Sequence, residues 1–322
     1  MEISKYTKIV LSAAQKRGVK YEALRGYPHL FLLRKNDKHT FVFQSTTELI
    51  PSSSSQICAN KYLTNLILRR SGFPIPQFII SKEKKDFVKF LKKYKNIVIK
   101  PIFGNQGKGI TVGITNEKQI DFALKKAGEA IAQKDINNVY ASYFLAQKVV
   151  CGFDHRLLVL NYKDVFVIKK VPAYVVGDAR HTIEQLIRMK NNDKKGHQKD
   201  IIIDESLEFV LRQQKLTLKS VLPRNKTVYV RNTSNLATGG ESIDVTHLLG
   251  KRAREMAIDV ARTLGMPLVG LDFMTFDIGA GKGYFLEANH VPGLLIHHFP
   301  QKGQPRQVSN KLIELLIKKG VL

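Results

Sequence analysis

The sequence predicts an α+β fold with two sheet-bearing lobes and a short N-terminal segment, and three observations carry that expectation. Stretches with apolar residues every three or four positions alternate with short β-branched runs along the chain. The strand Asn96-Ile97-Val98-Ile99-Lys100-Pro101 leads within four residues into a glycine-rich loop, Gly104-Asn105-Gln106-Gly107-Lys108-Gly109. Near the C-terminus, Gly270-Leu271-Asp272-Phe273 and Gly283-Tyr284-Phe285-Leu286-Glu287-Ala288-Asn289 read as two short buried strands with oxygen-bearing side chains at their ends.

Taken in order, Tyr6 to Arg17 reads as a helix with Ile9, Val10, Ala13 and Ala14 on one side and Gly18 as its stop. Ser52 to Ser55 reads as a loop. Lys61 to Arg70 is a second helix, ended by Gly72 and Pro74. Strand Ile97–Lys100 and its loop lead into an alanine-bearing helix from about Asn116 to Gln133. Two apolar strands follow, Arg156–Leu160 and Val165–Val171. Thr182 caps a helix through Met189, with Glu184 in its first turn. The polar stretch Asn191 to Gln198 is expected to be an exposed, mobile loop. Leu249, Ala253, Met256, Ala257, Val260 and Leu264 recur at helical spacing before Gly265 and Pro267, and Val308, Leu312, Leu315 and Leu316 repeat the pattern at the end of the chain.

The C-terminal strand pair carries three hard oxygen ligands, Asp272, Glu287 and Asn289. Magnesium prefers octahedral oxygen coordination and usually takes one or two carboxylates from protein, leaving phosphate and water to complete the shell. Residues two apart on a strand face the same way, so Glu287 and Asn289 can reach one ion. The same alternation puts Phe285 on their face and turns Leu286 and Ala288 away. A strand end beside a turn would carry the same Glu-x-Asn pair without any metal.

In the loop after Lys100, Gly104, Gly107 and Gly109 let the backbone come close to an anion and aim N–H groups at it, while Lys100 and Lys108 add charge. The spacing is not that of a Walker loop, and the Ser/Thr that would bind metal there is missing. A glycine-rich hairpin with a solvated lysine is the plainer alternative.

At 322 residues the chain has room for about two domains. No apolar run approaches the roughly 20 residues that span a membrane, and Met1-Glu2-Ile3-Ser4-Lys5 lacks a secretory apolar core. Cys58 and Cys151 are the two cysteines and lie far apart, which suits a reducing cytoplasm. The formal charge is +25 and the pI about 9.9. Such a balance ordinarily raises nucleic-acid binding. Here the lysines are scattered in pairs, and no stacking platform, helix-turn-helix or zinc spacing accompanies them, which speaks against it. A solvated lysine-rich surface and a field that gathers anionic substrates are both compatible with the pattern.

Read together, these features resemble the ATP-grasp superfamily of carboxylate–amine ligases. Within it the chain is similar to the ATP-grasp portion of cyanophycin synthetase and the glutathione-synthetase portion of the bifunctional glutathione enzymes. The likeness is carried by Lys61-Tyr62-Leu63-Thr64 before Gly72-Phe73-Pro74-Ile75-Pro76; by Val98 to Pro101; by Asp154 to Val159; by Val171 to Asp178; by Val230 to Thr246; and by Glu287-Ala288-Asn289 through Pro292-Gly293. It runs from roughly residue 8 to the C-terminus.

The resemblance implies an ATP-grasp fold that clamps a nucleotide between its lobes. It divides the chain into a pre-ATP-grasp segment over residues 1–60, a central subdomain over 61–150, and a C-terminal subdomain over 151–322 with a family-specific insertion at about 172–228. It implies ATP and Mg²⁺, with Mn²⁺ as a substitute. Lys61 and Lys100 stand where the family's two phosphate-binding lysines lie, although Lys61 also suits a helix surface. Gly104, Gly107, Lys108 and Gly109 cover the phosphates. Gln147, Lys148 and Val150 fall on the adenine-binding hinge, with Gln147 where many relatives carry glutamate. Asp154 falls where a carboxylate binds ribose, or is an ordinary turn aspartate. Arg231 would hold the transferred phosphoryl group, joined by Asn235, Gly239 and Gly240. Arg156 would bind a substrate carboxylate, or else pair structurally with Asp154 or Asp178. His297 and His298 follow the metal strand near a substrate-contacting histidine of relatives, and at least one is expected to be structural.

The implied activity is an ADP-forming ligation of an amino acid or peptide carboxylate to an amine through an acyl phosphate, on small-molecule or peptide substrates of acidic character. The upstream cysteine ligase of the glutathione enzymes has no counterpart in 322 residues, and neither do the extra domains of cyanophycin synthetase, so a single ligase site is expected. A homo-oligomer is compatible with the sequence. The reading from another class is a catalytically idle module that binds nucleotide or a polyanion in a regulatory or scaffolding role.

Overall fold

The computed structural model describes residues 4–24, 26–104, 107–131, 139–140, 142–193 and 199–322. In chain order its elements are α1 (Lys5–Gln15), β1 (Lys20–Ala23), β2 (Leu30–Lys35), β3 (Lys38–Phe43), α2 (Ser52–Ala59), α3 (Lys61–Arg70), β4 (Phe78–Ser81), α4 (Lys84–Tyr94), β5 (Ile97–Pro101), β6 (Thr111–Ile114), α5 (Glu117–Glu129) and β7 (Phe144–Lys148). They continue with β8 (Phe153–Leu160), β9 (Asp164–Val171), β10 (Tyr174–Val176), α6 (Ile183–Asn192), α7 (Glu205–Gln213), β11 (Thr227–Tyr229), β12 (Glu241–Asp244), α8 (Lys251–Thr263), β13 (Leu268–Thr275), β14 (Tyr284–Asn289), α9 (Leu295–His298) and α10 (Val308–Lys318). Among the described residues the sheets have the orders β1-β2-β3, β4-β7-β5-β6, β10-β11 and β12-β9-β8-β13-β14.

The chain forms two compact units, one from Met1–Ile75, His155–Ile168 and Asp244–Leu322, the other from Pro76–Asp154 and Lys169–Ile243. The segments 1–60, 61–150 and 151–322 are consecutive in sequence, whereas both units draw on separated stretches, because the chain passes from one to the other within β8, β9 and β12.

Local signals set the helix starts. Asn60 accepts from Leu63 N–H at 3.0 Å and opens α3. Asn116 with Gln119, and Thr182 with Gln185, form capping boxes at α5 and α6. Gly18 and Gly72, at φ 67° and 78°, end α1 and α3 in a conformation that other residues adopt only with strain. In the first unit α1 packs on α10, and α8 on β13. In the second, Phe87, Phe90, Ile97, Ile99, Ile120 and Ala146 centre one core between α4, α5 and the sheet. The segment expected as an insertion builds a second core there, from Val175, Ile183, Ile187, Leu207, Leu211 and Val228.

Three expectations need correction. Ser52 to Ser55 is the first turn of α2, not a loop. Pro51 has its ring-fixed φ at −62°, serines are tolerated in a first turn, and Ser54 and Cys58, four apart, form the buried side. The helix expected to run to Gln133 ends at Glu129, and residues 132 and 133 lie outside the described residues. Asn191 and Asn192 complete α6 instead of starting a loop: the Asn191 side chain donates to Ile201 O at 3.1 Å and accepts from its N–H at 2.8 Å. Residues 194–198 of that expected loop lie outside the described residues, as do Asn105 and Gln106 of the glycine-rich loop. Cys58 is buried and Cys151 exposed, and both are free thiols. Among the described residues no helix is long and apolar enough to cross a membrane.

Candidate active site

In the first unit, β13 and β14 pair antiparallel with Gly270 opposite Asn289, Leu271 opposite Ala288, and Asp272 opposite Glu287. The next pair is Phe273 with Phe285, so Leu286 is an extra, bulged residue. The bulge overturns the simple alternation. Phe285 shares the buried face of Phe273, with ring centroids 4.8 Å apart, and not the face of Glu287. Asp272, Glu287 and Asn289 do share one face.

Like charges directly opposite one another destabilise a sheet, and two cations offset this pair. Arg156 Nε donates to Asp272 Oδ1 at 2.7 Å and Nη2 to Oδ2 at 3.3 Å. Lys61 Nζ lies 3.6 Å from Glu287 Oε1. Lys61 is 5% exposed, so it is not a helix-surface lysine. The expected partners of Arg156 are otherwise engaged, Asp154 with Lys170 at 2.8 Å and Asp178 with His181 at 2.6 Å. Arg156 reaches Asp272 because Gly270 leaves room: a Cβ there would stand 3.0 Å from both Arg156 Cδ and Nη1. Asn289 Nδ2 donates to Gly270 O at 3.2 Å, which turns Oδ1 into the side chain's remaining acceptor.

Two opposed carboxylates and an amide oxygen fit a magnesium ion that takes its other ligands from phosphate and water. Among the described residues no group of three or more His, Cys, Asp and Glu side chains is arranged to hold a metal. A site fed by phosphate would not need one.

Beyond this pair, His297 is fully buried, with both ring nitrogens lacking a hydrogen-bond partner among the described residues. Burial, helped by the charge of Arg156, pulls its pKa down to about 3 against the opposing pull of Asp244. Burial likewise lowers His298 to about 4, and its Nε2 accepts from Ser309 N–H at 3.1 Å, so His298 is the satisfied structural histidine.

In the second unit, β5 lies between β7 and β6, with Val98 opposite Gln147 and Lys100 opposite Leu145. Cross-strand partners share a face, so Lys100 and Gln147 lie together on the side away from the Ile97–Ile99–Ala146 core. They are 5% and 2% exposed. Lys148 lies on the opposite face, its Nζ 5.9 Å from the Tyr94 ring centroid, so only its backbone belongs with Gln147. The N–H groups of Lys148 and Val149 donate to Gln77 O at 2.9 Å and Asn96 O at 3.1 Å. Asp154 is a strand residue, not a turn aspartate.

Gly104, Gly107 and Gly109 all have positive φ, at 112°, 72° and 73°. A Cβ on Gly107 would stand 3.2 Å from Asn235 Nδ2, so the loop and the Asn235 segment lie side by side. Asn232 Nδ2 extends that seam, donating to Val112 O at 3.4 Å. Asn235 Oδ1 accepts from Ala237 N–H at 2.9 Å, and Gly240 N–H donates to Asn235 O at 3.2 Å, so the expected Gly240 donor is already engaged. Gly239 is required by contact with Ile201, whose Cγ1 would be 2.5 Å from a Cβ. Arg231, 5% exposed, is gripped by Asp204.

Residues 67–221 match the ATP-grasp domain of prokaryotic glutathione synthetase. The chain has the ATP-grasp fold. It is 34% identical over 276 residues to the cyanophycin synthetase of Crocosphaera subtropica, covering 81% of this chain and 30% of that protein. It is 31% identical over 325 residues to the bifunctional glutathione biosynthesis protein of Clostridium perfringens, covering 96% of this chain and 40% of that one. The crystal structure of a bifunctional glutathione synthetase from Pasteurella multocida superimposes with a TM-score of 0.65 at 26% identity, over 98% of this chain and 43% of that one. The chain thus spans well under half the length of these relatives.

Within the ATP-grasp fold, the sequence-predicted residues fall into two groups. Lys61, Arg156, Asp272, Glu287 and Asn289 gather in the first unit; Lys100 with Gln147, and the glycine loop with Asn235, gather in the second. Besides the pairings of Arg156 with Asp272 and Lys61 with Glu287, residues not singled out from sequence stand beside the second group: Lys170 beside Asp154, Asp204 beside Arg231, and Lys126, whose Nζ bonds Ser206 Oγ. Only Asp204 left a local trace, as the N-cap of α7, where it accepts from Leu207 N–H at 2.9 Å.

Proposed function

We propose that this chain is an ATP-dependent, ADP-forming ligase that joins an amino acid or peptide carboxylate, of acidic character, to an amine. The observation that carries the reading is the opposition of Asp272 and Glu287 on one strand pair, each with its own cation. Opposed carboxylates of this kind suit a cation-dependent phosphate site.

Asp272, Glu287 and Asn289 would hold Mg²⁺, or Mn²⁺ in its place, and the ion would supply charge that offsets that of the phosphates. Lys61 and Lys100 would each meet phosphate oxygens, and Gly104, Gly107, Lys108 and Gly109 would supply backbone N–H groups and charge to them. Adenine would lie against Gln147, with the Lys148 carbonyl as acceptor and the Val150 N–H as donor, and ribose against Asp154. A substrate carboxylate, met by Arg156, attacks the γ-phosphorus; the bond to the bridging oxygen breaks and ADP leaves with that electron pair. Arg231 and Asn235 would hold the transferred group, where positioning and charge supply most of the acceleration. The amine then attacks the acyl carbon, phosphate departs, and the amine's proton passes to solvent.

The test is release of ADP and phosphate from Mg-ATP across a panel of acidic amino acids and peptides, with and without amines. Release that requires both an acid and an amine supports the reading. AMP and pyrophosphate as products would overturn it.

A further inference from the structure

One carboxylate in the second unit has no place in the chemistry just outlined. Asp204 accepts from Arg231 Nη1 at 2.8 Å and from Nη2 at 3.1 Å, and Nη2 also donates to Ile202 O at 2.5 Å. The Nη end is thereby forked by Asp204, and the second Nη2 hydrogen is taken by the Ile202 carbonyl. Nε is buried and has no hydrogen-bond partner among the described residues. A guanidinium is a rigid plane with five N–H donors, so fixing one edge fixes the direction of the other. Buried donors are nearly always satisfied, and one that is not calls for an explanation.

We propose that Asp204 is a positioning residue for phosphoryl transfer: by clamping the Nη end of Arg231, it presents the Nε–H to the terminal phosphate of the nucleotide. This rests on the ligase reading above for the role of Arg231. Lys126 reaches the same cluster from α5, bonded to Ser206, and interacts electrostatically with Asp204, Arg231 and Glu205. Asp204 keeps its proton off under these conditions: burial raises its pKa, but the Arg231 hydrogen bonds, the Leu207 N–H and the two cations outweigh this and lower it.

Because Asp204 also caps α7, a plain deletion would confuse support of a helix with support of Arg231. Asp204→Ser separates them, since serine is as good an N-cap as aspartate but cannot fork a guanidinium. Asp204→Asn, which retains the cap and one neutral acceptor, is the second variant should serine destabilise the chain. The readout is the ratio of dissociation constants for ADP and a non-hydrolysable ATP analogue, measured calorimetrically with magnesium on the full chain, alongside melting temperature. Wild type should favour the analogue. Asp204→Ser should lose about tenfold of that preference, as expected for one mis-aimed charge-assisted hydrogen bond, with ADP affinity and melting temperature held. Asp204→Asn should lose less, and Arg231→Gln at least as much as serine. An unchanged preference in Asp204→Ser overturns the proposal, because Asp204 would then be a cap alone. An increased preference overturns it too, because Asp204 would be competing with phosphate. If no acid and amine pair elicits ADP release from wild type, the ligase reading fails, while the nucleotide preference still decides the role of Asp204.

Discussion

Asp272 and Glu287 stand directly opposite one another across β13 and β14, and each is held by a cation from elsewhere in the same unit, Arg156 on β8 and Lys61 at the first turn of α3. Two carboxylates in that relation repel unless cations compensate them. The sheet therefore carries a built-in demand for positive charge on one face, which a divalent ion can also meet.

Asp272→Asn and Glu287→Gln each remove one negative charge and keep the shape. Turnover should fall at least about a hundredfold in either variant, comparable with losing one strong transition-state contact, while the chain still folds. Rates measured at saturating magnesium check this. A variant that kept more than half its activity would remove that residue from the metal set.

At the glycine loop, Gly107→Ala should harm nucleotide binding more than Gly104→Ala. Both positions have positive φ, so alanine strains the backbone at either, and the more so at Gly104, whose φ of 112° lies beyond the left-handed region that Gly107 adjoins at 72°. Only Gly107 would also press a Cβ against Asn235, at 3.2 Å, whereas the Cβ of Gly104 would meet nothing nearer than Pro101 Cγ at 4.0 Å. We expect KM for ATP to rise severalfold further in Gly107→Ala. Equal effects would mean that Asn235 contributes nothing at the loop.

The contrast between these sites shows which features a sequence exposes. Helices such as Lys61–Arg70 and strands such as Ile97–Pro101 are legible because period, caps and glycine stops are local. The ligand trio Asp272, Glu287 and Asn289 is legible for the same reason, as period-two spacing on short apolar strands. The partners are not. Arg156 and Asp272 are 116 residues apart, and Arg231 and Asp204 are 27 apart with a helix between. No local pattern encodes such pairs. The bulge at Leu286 lacks a glycine to betray it, so alternation assigned Phe285 to the wrong face. Ser52 to Ser55 misleads in the other direction, since a polar run that opens a helix has the composition of a loop.

His297 and His298 make stability depend on pH. Burial holds both below the ordinary histidine value, at about 3 and about 4, so the folded chain keeps them neutral while the unfolded chain protonates them near 6.5. The unfolded state then binds more protons, and stability is fully present above about pH 6.5 and falls below it. From pH 6.5 to 5 each should cost about 2 kcal/mol. Denaturant unfolding at pH 7 and pH 5 checks this, with His297→Asn expected to flatten the slope by about one proton. A wild-type midpoint that does not move would show that neither ring is held neutral in the folded state.

The net charge of +25 bears on the substrate. If the cations collect an acidic amino acid or peptide, their field acts beyond contact distance, where salt screens it over about 8 Å at physiological ionic strength. Capture should weaken with salt while chemistry barely changes. Raising potassium chloride from about 50 to about 300 mM should lift KM for the acidic substrate severalfold and leave kcat within about twofold. Longer acidic peptides should respond more steeply because they carry more charge, and a neutral amine should show no comparable shift. The side chains at the proposed site are already paired or buried, as with Lys61, Arg156 and Arg231, so they are poorly screened and should add little to the slope. A steep slope would therefore report the exposed lysines, such as Lys92 and Lys125, whose ion pairs are solvent-facing. Weak and equal salt dependence for acidic and neutral substrates would instead mean that these lysines serve solubility alone.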